Sequence, residues 1–342
     1  MKNLHITISL LAIMALCSSC EKALMEKETS DDPIATFDYL WNKVDQQYSF
    51  FDVKNVDWEG VYDTYRPMVS ENISDDSLFR VMAAMLNTLN DGHTNLISPF
   101  DVSHNEEVYR KMYENKNIDG DVVVLNYLTV NYHTTGGFAH NAIRDGKIAY
   151  LRYSSFTNAI SDADLDYLVD CYSNTQGMII DLRQNGGGNV DNIWNLMKFL
   201  PSGERDLYQT QIKNGPGHDE FSELKTVKQP QYEGKTYPHP VVVLTDRGSY
   251  SATSFFSLCV KTNFSNVTVV GDTTGGGLGL PNGGELPNGW SYRFSITRTL
   301  DMNGQNWENG MPPDVTVILD PAQTALGVDN VIEEACDILL GL

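Results

Sequence analysis

"VVVLTDRGSYSATSFF", Val241–Phe256, is the stretch on which the fold turns. Val241 to Leu244 make a continuous apolar run of the length of a strand buried on both faces, and from about Ala252 the apolar residues continue as a helix. A buried strand delivered directly into a helix is half of a βαβ unit. At the corner between them stand Gly248 and the hydroxyl residues Ser249, Ser251, Thr253 and Ser254.

The same alternation extends outward. "IAYLRYSS" from Ile148 predicts a strand, Leu165, Leu168, Val169 and Tyr172 a helix, "GMIIDLR" from Gly177 a strand, "VDNIWNLMKFL" from Val190 a helix, and "VTVVG" from Val267 a strand. Strands that are apolar throughout, alternating with helices, predict an α/β core with a largely parallel sheet covered on both faces. "PNGWSYRFSITRTL" adds a turn and one strand in which Trp290, Tyr292, Phe294 and Ile296 alternate. A last helix carries Val328, Val331, Ile332, Ala335 and Leu339.

Before the core, helical spacing recurs three times: Phe37 to Tyr48, Trp58 to Tyr65, and Leu78 to Leu89. These predict a small N-terminal helical domain over residues 34–97, a connecting segment over 98–146 with a strand at Val122 to Val130, and the α/β core over 147–342. The third helix begins at the caps Ser74 and Asp75 and stops at Asn90-Asp91-Gly92, which leaves His93 just past a helix end.

The chain has 342 residues and a net charge of -21. That balance excludes nucleic acid as a partner, since phosphate binding requires clustered Lys and Arg. "MKNLHITISLLAIMALCSSCEKA" has the lysine, the short apolar run and the small residues of a secretory signal, and the run is too short to span a membrane. Its Ser18-Ser19-Cys20 ending resembles a bacterial lipobox, with Cys17 standing where leucine is usual. The resemblance implies a signal peptide over 1–20, a lipid on Cys20, an acidic tether over 21–33, and a lipoprotein anchored to a membrane of the bacterial cell envelope; simple secretion is the alternative. Of five cysteines, Cys171, Cys259 and Cys336 lie in apolar-periodic segments, which predicts buried free thiols.

In open α/β sheets ligands bind beyond the carboxyl ends of the strands. After "GMIIDLR" comes "QNGGGNVDN", whose Gly186, Gly187 and Gly188 expose backbone N–H groups suited to an oxyanion; Asn189 stands where a phosphate loop would need lysine. After "PVVVLTD" comes Ser251, at a corner that serves either a nucleophile or a helix cap, the cap being the more common use. A nucleophilic serine needs a base. His93 sits beside a helix end, whereas His104, His133, His140, His218 and His239 lie in polar or proline-flanked loops where surface placement is the default. Nothing in the sequence calls for a metal or nucleotide cofactor: there is no HExxH, and the closest histidines are His133 and His140.

"LNDGHTNL", "GMIIDLRQNGGG", "VVVLTDRGSYSATSFF" with "VTVVGDTTGGG", and "ENGMPPDVTV", in that order over residues 35 to 320, resemble the C-terminal processing (tail-specific) serine peptidases and their tricorn core and interphotoreceptor retinoid-binding relatives. The resemblance implies a crotonase-like (ClpP/crotonase) α/β core with Ser251 as nucleophile, and an oxyanion hole made from Ala252 N–H and a glycine of the loop, Gly187 or Gly188. The substrate it implies is a peptide or protein. The tail-specific branch carries a lysine base where Gly277 stands here, and no lysine follows Lys261. Only about fifty residues separate His93 from the strand at Lys147, too few for the branch's usual PDZ domain. Both departures point to the tricorn-like branch, which implies His93 as base and Glu308 as supporting acid, with Asp91, Asp246 and Asp272 as rival acids. Two other readings stay open: a non-catalytic protein holding an apolar ligand or peptide in the same crevice, and an acyl-thioester enzyme, against which the export signal counts. The acidic surface would favour basic peptides unless the cleft carries charge of its own.

Overall fold

The computed structural model describes residues 31–114, 116–201, 203–229 and 231–342. The signal, Cys20 and most of the tether lie outside the described residues.

Three longer helices come first among the described residues: α1 (Pro33–Gln47), α2 (Trp58–Tyr65) and α3 (Asp75–Asn87). Asp32, Asp57 and Ser74 cap them, each accepting from a backbone N–H of the first turn. The indoles of Trp41 and Trp58 stack with ring planes 3° apart, and each ring N–H donates to the other residue's carbonyl at 3.2 Å. The apolar faces of these helices do not close a core alone. Phe37, Leu40, Met82 and Met85 pack in one cluster with Leu286, Trp290, Tyr292 and Phe294, more than two hundred residues further on.

β1 (Asn95–Ile97) makes the join in the backbone. It pairs antiparallel with β11 (Ser291–Ser295), which pairs in turn with β10 (Pro281–Glu285). The strand expected from Trp290 to Ile296 and beyond is in fact two. At Ile296 the chain leaves this sheet, and β12 (Thr297–Leu300) joins another with β6 (Asp206–Ile212) and β7 (Lys225–Lys228).

The central sheet has the order β13 (Val315–Thr316), β9 (Val267–Gly271), β8 (Val241–Thr245), β5 (Gly177–Asp181), β4 (Ile148–Tyr153), β3 (Phe138–Ile143), β2 (His133–Thr135). The first five are parallel and the last two antiparallel. Alternate residues serve opposite faces. Leu151, Ile180 and Val243 pack toward α5 (Asp162–Cys171), α6 (Asp191–Met197) and α7 (Ala252–Asn263). Tyr150, Ile179 and Leu244 face α8 (Asn330–Leu340), with Val331 and Ile332 among their neighbours. This mixed α/β architecture, with a small helical region ahead of it, is the fold class read from the sequence.

Three sequence expectations fail here. The strand expected at Val122–Val130 is a turn of helix, α4 (Gly120–Val122), capped by Asp119, which widens into a π-helix at Val123–Leu128. Val123, Tyr127 and Leu128 reach the sheet on one side, while Val124 and Leu125 are exposed, so the apolar run has a helical face and no strand alternation. Cys259 and Cys336 are buried free thiols, but Cys171 is exposed, because Leu165, Leu168 and Val169 take the inward face of α5. His140 is fully buried: pairing of β2 with β3 sets it between Thr135 Oγ1 at 2.9 Å and Tyr172 Oη at 2.6 Å, and burial pushes its pKa down to about 4.

A buried ion network locks α8 to the end of β5. Arg183 is fully buried, with Nη2 2.6 Å from Asp181 Oδ2, Nη1 2.9 Å from Asp329 Oδ2, and Nη1 donating to the Asn117 carbonyl at 2.8 Å. Asp329 is also the N-cap of α8. Removing the guanidinium leaves Asp329 with no ion-pair partner among the described residues and Asp181 with only Arg152 at 3.6 Å, so Arg183→Met should lower unfolding stability by about 3–5 kcal/mol in denaturant titration. A loss below about 1 kcal/mol would show that the network is dispensable.

Candidate active site

Ser251 stands at the corner between β8 and α7 with φ 55° and ψ -120°. A non-glycine residue at such a φ is strained, and the strain points its Oγ out of the corner. It occupies the N-cap position, yet its side chain caps nothing. The other hydroxyls of the corner hold it instead: Ser249 Oγ donates to the Leu182 carbonyl at 2.8 Å, Thr253 Oγ1 to the Asn185 carbonyl at 2.8 Å, and Ser254 Oγ to the Ser249 carbonyl at 3.0 Å. The common reading of serine at a helix start as a cap therefore fails for Ser251.

His93 Nε2 lies 2.9 Å from Ser251 Oγ. The tight turn after α3 is held by Asp91, whose Oδ1 accepts from the His93 N–H at 2.8 Å and whose Oδ2 accepts from Ser295 Oγ at 2.7 Å. Ser295 belongs to β11, so the turn bearing the histidine is bound to the core by both backbone and side chain.

The glycine loop closes against the same corner. A Cβ on Gly187, at φ 94°, would lie 2.8 Å from Ser251 Cβ and 2.9 Å from Ala252 N. The Gly187 N–H is already engaged, donating to Asn185 Oδ1 at 3.0 Å. The N–H groups of Gly188 and Ala252 donate to no acceptor among the described residues.

Glu308 comes to the site without touching His93. Its Oε2 accepts from Leu278 N–H at 2.7 Å and Gly279 N–H at 2.9 Å, and Oε1 lies 3.7 Å from Lys54 Nζ. The loop from Gly276 to Gly279 runs between nucleophile and acid: Ser251 N–H donates to the Gly276 carbonyl at 2.9 Å and Gly277 N–H to the Glu308 carbonyl at 3.0 Å. Of the rival acids, Asp91 holds the turn of His93. Asp246 shapes the strand ends through Gln184 and Gly248, and Asp272 pairs with Arg247 at 3.5 Å.

Gly277, where the resemblance to the tail-specific branch implies a lysine, has φ 74°, and a Cβ there would come within 2.4 Å of Tyr250 Cζ. The Tyr250 ring fills the space a lysine side chain would need, and its centroid lies 5.0 Å from that of His93. Tyr250, Lys54 and Asn185 were not singled out from the sequence. Their roles come from spatial contacts that no local pattern announces.

Burial sets the charge states. It pushes the His93 pKa below the ordinary 6.5; Asp91 and the Gly279 carbonyl oppose this, while Arg293 and Lys54 add to it. The Gly279 carbonyl acts on the ring electrostatically, without a bond of good geometry to Nδ1. Burial pushes Glu308 up to about 8, with Asp91 adding to the rise and Lys54 and the two backbone N–H groups opposing it. Around Ser251 lies a cleft of about 340 Å³ lined by Tyr109, Met112, Val190, Leu280 and Arg293 among others.

The family model described as Peptidase family S41 matches residues 147–317, and that of the Tricorn protease C1 domain matches residues 34–87. The chain belongs to peptidase family S41. With that it joins the serine-type peptidases among the hydrolases. A crystal structure from Parabacteroides merdae ATCC 43184, described as a peptidase, is 38% identical with a TM-score of 0.83, covering 90% of this chain and 97% of that one. The carboxy-terminal processing protease CtpB of Bacillus subtilis (strain 168) is 27% identical over 144 residues, 42% of this chain and 28% of CtpB, so the match spans under a third of that relative's length. Mature CPAF shares the fold at a TM-score of 0.67 and 13% identity, covering 91% of this chain and 98% of that one.

The raised pKa of Glu308 has a stability sign. An unfolded glutamate titrates near 4.5, so between pH 4.5 and about 8 the folded state of this S41 member retains a proton that the unfolded state has shed. Stability then falls as pH rises, by up to about 1.4 kcal/mol per pH unit. Glu308→Gln can still accept from Leu278 and Gly279 but has no charge to bury. Its Tm should gain on the wild type's between pH 5 and pH 8, and parallel Tm curves would contradict the buried-carboxyl assignment.

Proposed function

We propose that the protein is an exported serine endopeptidase that cleaves peptide bonds through Ser251 and His93. The observation that carries this reading is the 2.9 Å contact between His93 Nε2 and the Oγ of a strained, uncapped Ser251. With its pKa held down, His93 is neutral at neutral pH and takes the Ser251 proton as Oγ attacks the substrate carbonyl. The tetrahedral oxyanion receives the N–H groups of Gly188 and Ala252, while Gly187 contributes by having no side chain against Ser251. His93 then passes its proton to the leaving amine, and a water activated by the same imidazole hydrolyses the acyl-enzyme.

In this reading Glu308 is a positioning residue. It braces Leu278 and Gly279, whose carbonyl favours the imidazolium formed during the reaction. The substrate is a peptide or protein and no cofactor takes part. Lipid on Cys20 would hold the enzyme at a membrane of the bacterial envelope, a reading that rests on the Ser18-Ser19-Cys20 sequence alone.

Ser251→Ala and His93→Ala should each lower peptide hydrolysis at least about a thousandfold while leaving the circular dichroism spectrum unchanged. A fluorophosphonate should label Ser251 in the wild type and fail in His93→Ala. Full activity in either variant, or no labelling of a folded wild-type protein, would turn the reading toward a non-catalytic crevice that binds an apolar ligand. Cys20→Ser should move the protein from the membrane fraction to the soluble one; unchanged partition would remove the anchor.

A further inference from the structure

The chain has ten arginines against a large excess of acidic residues, and eight of them lie within ion-pair distance of a carboxylate. A ninth, Arg205, is spent on the carbonyls of Asn263 and Pro201 and on the ring of Phe264. Arg293 is the exception. It has no ion pair among the described residues, it is exposed, and it lines the cleft at Ser251.

Its orientation is set by the sheet. The register of β1 with β11 puts Asn95 opposite Arg293, and Asn95 Oδ1 accepts from Arg293 Nε at 2.7 Å. Asn95 is itself anchored, donating through Nδ2 to the Ser103 carbonyl at 2.7 Å. With Nε held, the plane of the guanidinium is fixed, and its two Nη groups make no hydrogen bond among the described residues. A fixed guanidinium edge with free donors matches a carboxylate in bidentate geometry. The group also lies on the histidine side of Ser251: Asn95 follows His93 by two residues, and the Arg293 charge adds to the lowering of the His93 pKa. In acyl transfer the amine fragment leaves on the side of the base, since the base must hand it a proton.

We propose that Arg293 binds a carboxylate on the fragment that leaves with the amine, which makes it a specificity-determining residue. The carboxylate is either the terminal α-carboxylate of a short C-terminal fragment or an acidic side chain just after the scissile bond. The inference rests on the peptidase reading for the placement of the substrate. It sets a local preference for negative charge against the repulsion expected from the acidic surface as a whole.

The test uses two pairs of otherwise identical peptides, one pair ending in a free acid or a carboxamide, the other carrying Glu or Gln after the cleaved bond. In the wild type, one pair should show at least about a tenfold preference in kcat/KM for the carboxylate member. In Arg293→Gln that ratio should fall to within about twofold, and Arg293→Lys should restore part of it. The pair that responds identifies the source of the carboxylate. Equal ratios in wild type and Arg293→Gln overturn the proposal. So does a uniform loss on all four peptides accompanied by a shifted pH profile, which would mean that Arg293 acts only on His93. Fluorophosphonate labelling of Ser251 tests the peptidase reading separately. Dissociation constants of the same peptides on Ser251→Ala read the carboxylate preference without turnover, and an absent preference there overturns the proposal too.

Discussion

Everything at the site depends on the antiparallel pairing of β1 with β11. Ser251 is built by the core and His93 by a helical unit far earlier in the chain, and this pairing joins the two units in the backbone beside the 2.9 Å contact between them. The driving force is apolar. Leu286, Trp290, Tyr292 and Phe294 complete the cluster that α1 and α3 leave open, and each large side chain buried there contributes about 1.5–3 kcal/mol. The polar contacts contribute less energy but set the register. Asp91 with Ser295, and Asn95 with Arg293, allow one alignment of the strands, and a slip by one residue would turn every side chain of β1 to the opposite face.

That docking also creates an electrostatic conflict. Asp91, His93 and Glu308 are taken out of water together, with Lys54 beside them. Burial shifts the histidine downward and Glu308 upward, so both are driven toward their neutral forms. The resting site is therefore less charged than its composition suggests. In the proposed reaction charge would appear on the imidazole only as the serine proton is transferred, and Asp91 and the Gly279 carbonyl both favour that charge. The Gly276–Gly279 loop ties this together, holding the serine backbone at one end and the Glu308 carboxyl at the other.

The sequence carried the α/β core clearly, because strands buried on both faces are apolar throughout and helices keep their period. It also pointed to Ser251, His93 and the glycine loop, since a strand-to-helix corner, a helix end and a run of glycines are local features. What it hid depends on contacts across the chain. Which glycine N–H is free turns on Asn185 accepting from Gly187. The indirect role of Glu308 turns on a loop some thirty residues away, and the exposure of Arg293 on its partner across the sheet. The π-helix at Val123–Leu128 reads as a strand because the valines Val122, Val123 and Val124 stand at its start, which suits a strand until the sheet face that receives Val123, Tyr127 and Leu128 is known.

The order in which the site's parts occur along the chain has a consequence for synthesis. His93 emerges from the ribosome long before Ser251, but β11 and Glu308 come later than either. Until β11 has been made the histidine has no strand on which to dock, and on the proposed mechanism the serine is an alcohol without a base. On the proposed mechanism a half-made chain of this architecture would be inert toward its neighbours, and the centre would close only once its last supporting segment had folded into place.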